Sequence, residues 1–99
     1  MWRAFFIFSM KRYHLYIKGI VQGVGFRWYA RRIGNIIGIG GWVKNLPDGS
    51  VEIVIEGEEK KLDQFIEELK NGYLGKNIRE IEKFEEEYKG EFKMFEIRF

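Results

Sequence analysis

The chain has 99 residues, of which 45% are hydrophobic and 17% aromatic, which is typical of a single globular domain and excludes intrinsic disorder. It contains no cysteine, so disulfides, thiol catalysis and thiolate-bound zinc are excluded. The net charge of +2 is unevenly distributed: residues 1–50 carry eight Lys and Arg against one acid, and residues 51–99 carry nine against fourteen. An anion site in the first half fits this asymmetry, although the two halves of a small fold interleave and need not form separate charged surfaces.

Residues 1–12 are interpreted as an aromatic N-terminal arm, and residues 13–99 as a single domain. The apolar run Ala4–Phe8 is too short for a signal-peptide core or a membrane span, so we expect a cytoplasmic protein with no membrane partner. Three interpretations of the arm stay open: an extra strand at a sheet edge, an arm that joins two copies in a homodimer, or residues upstream of a translation start at Met10.

Five segments show the periodicity of regular structure, with period two in the strands and spacings of three and four in the helices. In chain order they are the strand Tyr13–Lys18, the helix Phe26–Ile37, the strand Gly40–Asn45, the strand Ser50–Glu56 and the helix Glu58–Asn71. The segment Ile78–Tyr88 fits either a helix or an irregular strand, and Phe92–Phe99 is predicted to contain a short final strand.

The resulting order, βαββαβ with a short C-terminal strand, predicts an α+β ferredoxin-like sandwich. We expect an antiparallel sheet with both helices on one face. Gly34 interrupts the first helix and is expected to permit close packing on the sheet, while Gly38 is expected to end that helix. His14 lies on the polar side of the first strand, which is more typical of a partly exposed sheet residue than of a catalyst.

The segment Gly19–Arg27 connects the first predicted strand to the first predicted helix. Gly23 and Gly25 permit a tight turn that points successive N–H groups into one hollow. The helix N-terminus presents further unpaired N–H groups and its positive dipole end, and Arg27 adds a forked cation suited to a phosphate. The pattern indicates an oxyanion cradle, and taken alone it is equally compatible with a plain turn between strand and helix.

Other catalytic and cofactor motifs are absent from the sequence. The position where a dinucleotide fingerprint requires its third glycine holds Trp28, and neither a P-loop nor the HExxH or Gly-x-Ser-x-Gly motif occurs. His14 is the single histidine and has no carboxylates at ligand spacing, so we expect neither a metal nor another cofactor. Asn45 ends a predicted strand just before the turn Leu46–Gly49, and taken alone it is more typical of a turn-forming amide.

Taken together, two stretches resemble the signatures of the acylphosphatase family. The stretch Gly19-x-Val21-Gln22-Gly23-Val24-x-Phe26-Arg27 is similar to the family's phosphate loop. The stretch Gly41-Trp42-Val43-Lys44-Asn45-x-x-x-Gly49-x-Val51, followed by Gly57, is similar to its second signature. Their separation and the βαββαβ order also match, and the resemblance extends from about Tyr13 to the C-terminus.

The resemblance implies a metal-free enzyme that hydrolyses the mixed anhydride of small acyl phosphates to a carboxylate and inorganic phosphate. It assigns catalytic roles to Arg27, which would bind the phosphate, and to Asn45, which would orient the attacking water. The remaining phosphate contacts would come from the backbone amides of Gln22, Gly23, Val24, Gly25 and Phe26. The family offers no strong general base, so the bound phosphate is expected to accept the proton. Nothing in the sequence identifies the acyl group.

Two functions of other classes share features with this sequence. The chain could be a non-catalytic phosphate-binding module of a larger assembly, although its intact Arg27 and Asn45 argue against that. RNA-recognition domains share the βαββαβ order and expose aromatic residues on their central strands. Tyr16 could serve in that way, but Glu52 and Glu56 would repel a nucleic-acid backbone, so we expect no nucleic-acid partner.

Overall fold

The computed structural model describes residues 9–99. In this part of the chain, two helices cover one face of a five-stranded sheet. The elements are β1 (Met10–Gly19), α1 (Phe26–Ile37), β2 (Gly40–Asn45), β3 (Val51–Glu58), α2 (Glu59–Asn71), a 3₁₀ turn at Gly75–Asn77, β4 (Ile78–Glu86) and β5 (Phe95–Arg98). Most of the arm predicted at residues 1–12 lies outside the described residues. Its last part, Met10–Arg12, belongs to β1, which therefore starts before the predicted position.

The segment that fitted either a helix or an irregular strand is a strand. β4 pairs with β1 in antiparallel fashion from Arg12 opposite Glu86 to Gly19 opposite Ile78. The register shifts between Lys18 and Gly19, so Ile78 and Ile81 both pack against the core although they are three positions apart. Phe84 lies on the open face against Tyr16, which further obscures a simple alternation in the sequence of β4.

The five strands form one sheet in the order β4-β1-β3-β2-β5. The expected antiparallel pairing holds for β1 to β4, whereas β5 runs parallel to β2. The direction of β5 follows from where the chain leaves β4. Glu86, at the end of β4, lies at the same end of the sheet as Gly40, at the start of β2, so a chain that crosses this end must enter β5 in the direction of β2.

The core lies between the helices and one face of the sheet. Tyr13, Leu15 and Ile17 of β1 are buried there, as their alternation predicts. Gly34 permits the expected close packing, because a Cβ at this position would lie 2.4 Å from the Phe95 ring. Gly38 ends α1 as predicted, with φ of 87° and its N–H donated to the carbonyl of Gly34.

On the open face of the sheet, His14 is a partly exposed sheet residue, as expected. Its Nε2 lies 2.6 Å from a carboxylate oxygen of Glu52, and its Nδ1 lies 3.0 Å from one of Glu86. The imidazole also stacks on Tyr16, with the ring centroids 4.8 Å apart. These contacts join β1 to both of its neighbours in the sheet, so they give His14 a structural role.

Residues 87–94 cross the end of the sheet and are held there by Glu56, a carboxylate that is only 5% exposed. Its oxygens accept hydrogen bonds from three successive backbone N–H groups, those of residues 89–91, at 2.6, 3.2 and 2.9 Å. Arg12 lies 3.3 Å from the same carboxylate and also pairs with Glu86 and Glu91. Burial alone would raise the pKa of Glu56, but the hydrogen bonds from the backbone of Lys89 and Glu91 and from Arg12 lower it.

We expect the substitution Glu56→Gln to destabilise the fold by about 2 kcal/mol at pH 7, because the amide removes the charge that faces Arg12 and part of the acceptor capacity. A lowered pKa in the folded state stabilises the fold above the pKa of the unfolded chain, and this stabilisation is lost as the pH falls through the folded-state pKa. The difference between the wild type and the variant should therefore shrink below about pH 4. Urea unfolding followed by circular dichroism at pH 7 and pH 3 measures it.

The matched control is Glu85→Gln, which removes an exposed carboxylate that pairs with Lys11 at 3.0 Å. Its urea midpoint should stay close to that of the wild type at both pH values, because exposed ion pairs are screened by solvent. Equal stability of Glu56→Gln and the wild type at pH 7 would contradict the role given to Glu56.

Candidate active site

The loop between β1 and α1 has a backbone that favours glycine at two positions. Gly23 and Gly25 have φ of 75° and 82°, and a Cβ at either position would meet open space. Gly25 is the N-cap of α1, whose first turn has no acidic residue and no side-chain cap from the described residues. The N–H groups at the start of α1 are therefore available to an anion, at the positive end of the helix dipole.

The base of this loop is attached to the 3₁₀ turn that precedes β4. The N–H of Ile20 donates to the carbonyl of Asn77, and Nδ2 of Asn77 donates to the carbonyl of Ile20, both at 2.9 Å. Gly19, with φ of 137°, is required here, because a Cβ would lie 2.1 Å from the Asn77 carbonyl oxygen. Val21, two residues after Gly19, is buried.

The side chain of Gln22 attaches the loop on its other side. Its Nε2 donates to the carbonyl of Leu46 at 2.7 Å and to that of Ser50 at 2.8 Å, in the turn between β2 and β3. This turn is itself braced, since the hydroxyl and the N–H of Ser50 both donate to the Asp48 carboxylate, and the pKa of Asp48 is lowered by these bonds. Gln22 therefore connects the loop to the residue that follows Asn45.

Asn45 is the last residue of β2, opposite Val51 of β3. Within residues 9–99, its Oδ1 is a buried acceptor with no hydrogen-bond partner. Leaving a buried polar atom unpaired costs about 1–3 kcal/mol, and a water molecule or another donor placed at this atom would remove the cost. This is the observation that separates Asn45 from an ordinary turn-forming asparagine.

Arg27, in the first turn of α1, stacks on the last residue of the chain. Its Cζ lies 4.6 Å from the centre of the Phe99 ring. Because Lys44 is opposite Arg98 in the register of β2 and β5, the next positions along the two strands are Asn45 and Phe99. The stacking therefore directs the guanidinium to the end of the sheet that holds Asn45. No carboxylate of the described residues pairs with Arg27, so its N–H groups are available to a ligand.

The structure brings most of the predicted residues to one end of the sheet. The loop with its exposed residues Gly23, Val24 and Gly25 meets the end of β2 through Gln22. The side chain of Phe26 is 1% exposed and packs against Tyr29, so only its backbone could contact a ligand.

Two contacts were missed from the sequence, namely the side-chain bonds of Gln22 and the ring of Phe99. The first joins residues 24 positions apart and the second depends on parallel strand pairing, so neither leaves a periodic signal. In the part of the chain that the structure describes, no three His, Cys, Asp or Glu side chains lie close enough to hold a metal ion. None of the helices described is long and apolar enough to cross a membrane.

Comparison with known proteins points to one family. The family model for acylphosphatase matches residues 13–97. A curated acylphosphatase from Syntrophobacter fumaroxidans is 45% identical over 89 residues, which are 90% of this chain and 92% of the relative.

Solved structures agree with this match. The acylphosphatase from Bacillus subtilis has a TM-score of 0.83 and 36% identity, with 90% of this chain and 99% of that chain covered. HypF from T. kodakarensis has a TM-score of 0.79 and 40% identity over 90% of this chain, but the match spans only 12% of that protein.

We expect Gln22→Ala to weaken the binding of inorganic phosphate several-fold, because the loop loses both of its side-chain bonds to the turn between β2 and β3. The same change should lower the free energy of unfolding by about 1 kcal/mol. Isothermal titration with phosphate and urea unfolding measure the two effects. The matched control is Gln64→Ala on α2, whose exposed side chain donates to Glu68. Phosphate affinity that changes equally in both variants would contradict the role of Gln22.

Proposed function

Because the chain belongs to the acylphosphatase family and hydrolyses small acyl phosphates, we propose that the loop at residues 22–26, Arg27 and Asn45 form its catalytic site. The observation that carries the proposal is the unpartnered, buried Oδ1 of Asn45 next to a loop that is suited to an anion. The hydrogen bonds of Gln22 to Leu46 and Ser50 support the pairing of these two parts.

In this proposal the phosphoryl group binds to the backbone amides of Gln22, Gly23, Val24, Gly25 and Phe26. The positive φ values of Gly23 and Gly25 support this role, since alternating backbone conformations turn successive N–H groups towards one point. Arg27 supplies two parallel N–H donors to the phosphoryl oxygens. Each well-placed donor of this kind stabilises developing charge by about 3–4 kcal/mol in the transition state.

Asn45 accepts a hydrogen bond from the attacking water through Oδ1 and thereby points the water oxygen at phosphorus. The new P–O bond forms in line with the bond to the acyl oxygen, which breaks and leaves with its electron pair as the carboxylate. A proton of the water passes to a phosphoryl oxygen, so no side chain has to act as a strong base. Positioning and charge stabilisation contribute most of the catalysis in phosphoryl transfer.

We also propose that hydrolysis needs no metal and no other cofactor, and that the protein acts in the cytoplasm. The charge of the transferred group would be balanced by Arg27 and by the dipole of α1. The absence of cysteine is compatible with a reducing compartment.

A non-catalytic binding module of a larger assembly is the second candidate, and the match to a small part of HypF is compatible with it. The match to nearly the full length of a curated acylphosphatase favours the hydrolase.

The pair of substitutions Arg27→Ala and Asn45→Ala should separate binding from turnover. Arg27→Ala is expected to reduce kcat/KM for benzoyl phosphate by about 10³-fold and to weaken inhibition by inorganic phosphate. Arg27→Lys should not restore activity, because an ammonium group cannot supply two parallel N–H donors. Asn45→Ala should reduce kcat by about 10²-fold or more and leave phosphate inhibition within about twofold of wild type. Steady-state assays with EDTA present measure all three variants.

The control is Arg79→Ala, which removes an exposed cation at the start of β4, and its kinetics should match those of the wild type. Full turnover by Asn45→Ala would rule out its role with the water. Activity that requires an added metal would rule out the metal-free scheme, and phosphate binding without hydrolysis would favour the binding module.

For the assembly, we propose that the aromatic arm predicted at residues 1–12 joins two copies of the chain in a homodimer through its residues before Met10. The proposal is supported by the crowding of Trp2, Phe5, Phe6 and Phe8 in the sequence. Sedimentation velocity of the full chain and of a chain that starts at Met10 tests it. The expected result is a dimer that becomes a monomer on truncation, and a monomeric full chain would refute it.

A further inference from the structure

An apolar groove runs along the outer side of α1, between this helix and the C-terminal end of α2. It has a volume of about 500 Å³. Its lining is mainly aromatic and aliphatic and includes Trp28, Tyr29, Ile33, Ile36 and Tyr73. Three of these side chains are unusually exposed for their type, since Trp28, Ile36 and Tyr73 are 59%, 71% and 72% accessible.

The floor of the groove is held in place before any ligand binds. The hydroxyl of Tyr29 donates to the carbonyl of Leu69 at 2.7 Å and to that of Glu68 at 3.2 Å, which joins α1 to the end of α2. The Tyr73 ring packs edge-on against Tyr29 with the centroids 5.1 Å apart. Gly72 is needed between them, because a Cβ there would lie 2.2 Å from the Tyr29 hydroxyl oxygen.

The groove starts beside the proposed phosphate site. Trp28 lies in the first turn of α1, about 5 Å along the helix axis from the N-cap Gly25. The guanidinium of Arg31 lies 5.3 Å from the centre of the Trp28 ring and supports it on the outer side of the helix. Val24, in the loop before α1, is a further apolar side chain that is 36% exposed.

The geometry of the reaction also indicates where the acyl group lies. In-line attack places the leaving group on the side of phosphorus opposite the water, and Asn45 would hold the water on the side of β2. That side is also where Gln22 contacts the turn after β2 and where Arg27 stacks on Phe99. In this arrangement the acyl group would point away from β2. Trp28 follows Arg27 in α1, so its side chain projects about 100° around the helix axis from the side chain that contacts Phe99.

We propose that this groove is the acyl subsite and that the enzyme prefers acyl phosphates with a large apolar acyl group, above all an aromatic one. The inference rests on the proposed roles of Asn45 and the loop. Trp28 offers a flat face on which an aromatic acyl group can stack, and Ile36 and Tyr73 extend the surface for longer groups. The charged lining residues, Arg32 and Glu68, have opposite signs, so the groove has no net charge that would select a charged acyl group.

The test compares kcat/KM for benzoyl phosphate and acetyl phosphate in the wild type and in Trp28→Ala. We expect the value for benzoyl phosphate to fall about fivefold to tenfold and the value for acetyl phosphate to change less than about twofold. Inhibition by inorganic phosphate should stay as in the wild type, because the phosphate site is untouched. Trp28→Phe keeps an aromatic face and should retain most of the preference, so it distinguishes stacking from a folding defect.

The matched control is Phe84→Ala, which removes an aromatic side chain of similar exposure on β4 and should leave the ratio of the two kcat/KM values unchanged. An unchanged ratio in Trp28→Ala, or equal losses on both substrates, would overturn the acyl subsite. Failure of the proposed catalytic site would appear differently, as unimpaired hydrolysis in Arg27→Ala and Asn45→Ala whatever the result for Trp28.

Discussion

The two hydrogen bonds from the side chain of Gln22 are the contacts on which the site depends. A loop with glycines at two positions has little stiffness of its own, and without a fixed point it would not keep its N–H groups directed at one place. Gln22 supplies that point by donating to the carbonyls of Leu46 and Ser50, on either side of the turn that follows Asn45. Asn77 holds the base of the loop on the opposite side. The loop proposed to bind the anion and Asn45 are thus positioned by one set of backbone carbonyls, and their separation is set by the β2–β3 pairing.

The opposite end of the sheet contributes to the site through the direction of the last strand. Glu56 and Arg12 hold residues 87–94 as they cross that end, and β5 then has to run parallel to β2. As a result, Arg98 lies opposite Lys44, and the ring of Phe99, the next residue, contacts the guanidinium of Arg27. A buried carboxylate at the opposite end of the sheet therefore influences the position of Arg27, the cation of the proposed site. Such a carboxylate is tolerated because three backbone N–H groups and an arginine compensate for its burial.

A domain of this size can carry out phosphoryl transfer because the reaction needs few specialised groups. In the proposed site, backbone N–H groups, a helix dipole and one arginine would balance the charge, and one amide would position the water. These functions leave features that folding alone would not favour, such as the unpartnered Oδ1 of Asn45 and the exposed rings of Trp28 and Tyr73. In the proposed site and the proposed acyl subsite, a substrate would supply the missing contacts at both features. Local departures from good packing and pairing of this kind are expected at functional sites.

The sequence by itself determined the elements whose signal is local. Periodicity located the ends of α1, α2, β2 and β3 to within two residues, because each pattern is set by which face meets the core. Two spaced signatures identified the family and its candidate residues Arg27 and Asn45. Only the tertiary structure decided the parallel pairing of β5, the register of β4 across its bulge, the anchoring by Gln22, the stacking of Arg27 on Phe99 and the groove beside Trp28. Each of these joins segments that are distant in the chain. Their geometry depends on how strands pair and helices pack, and no local run of residues records it.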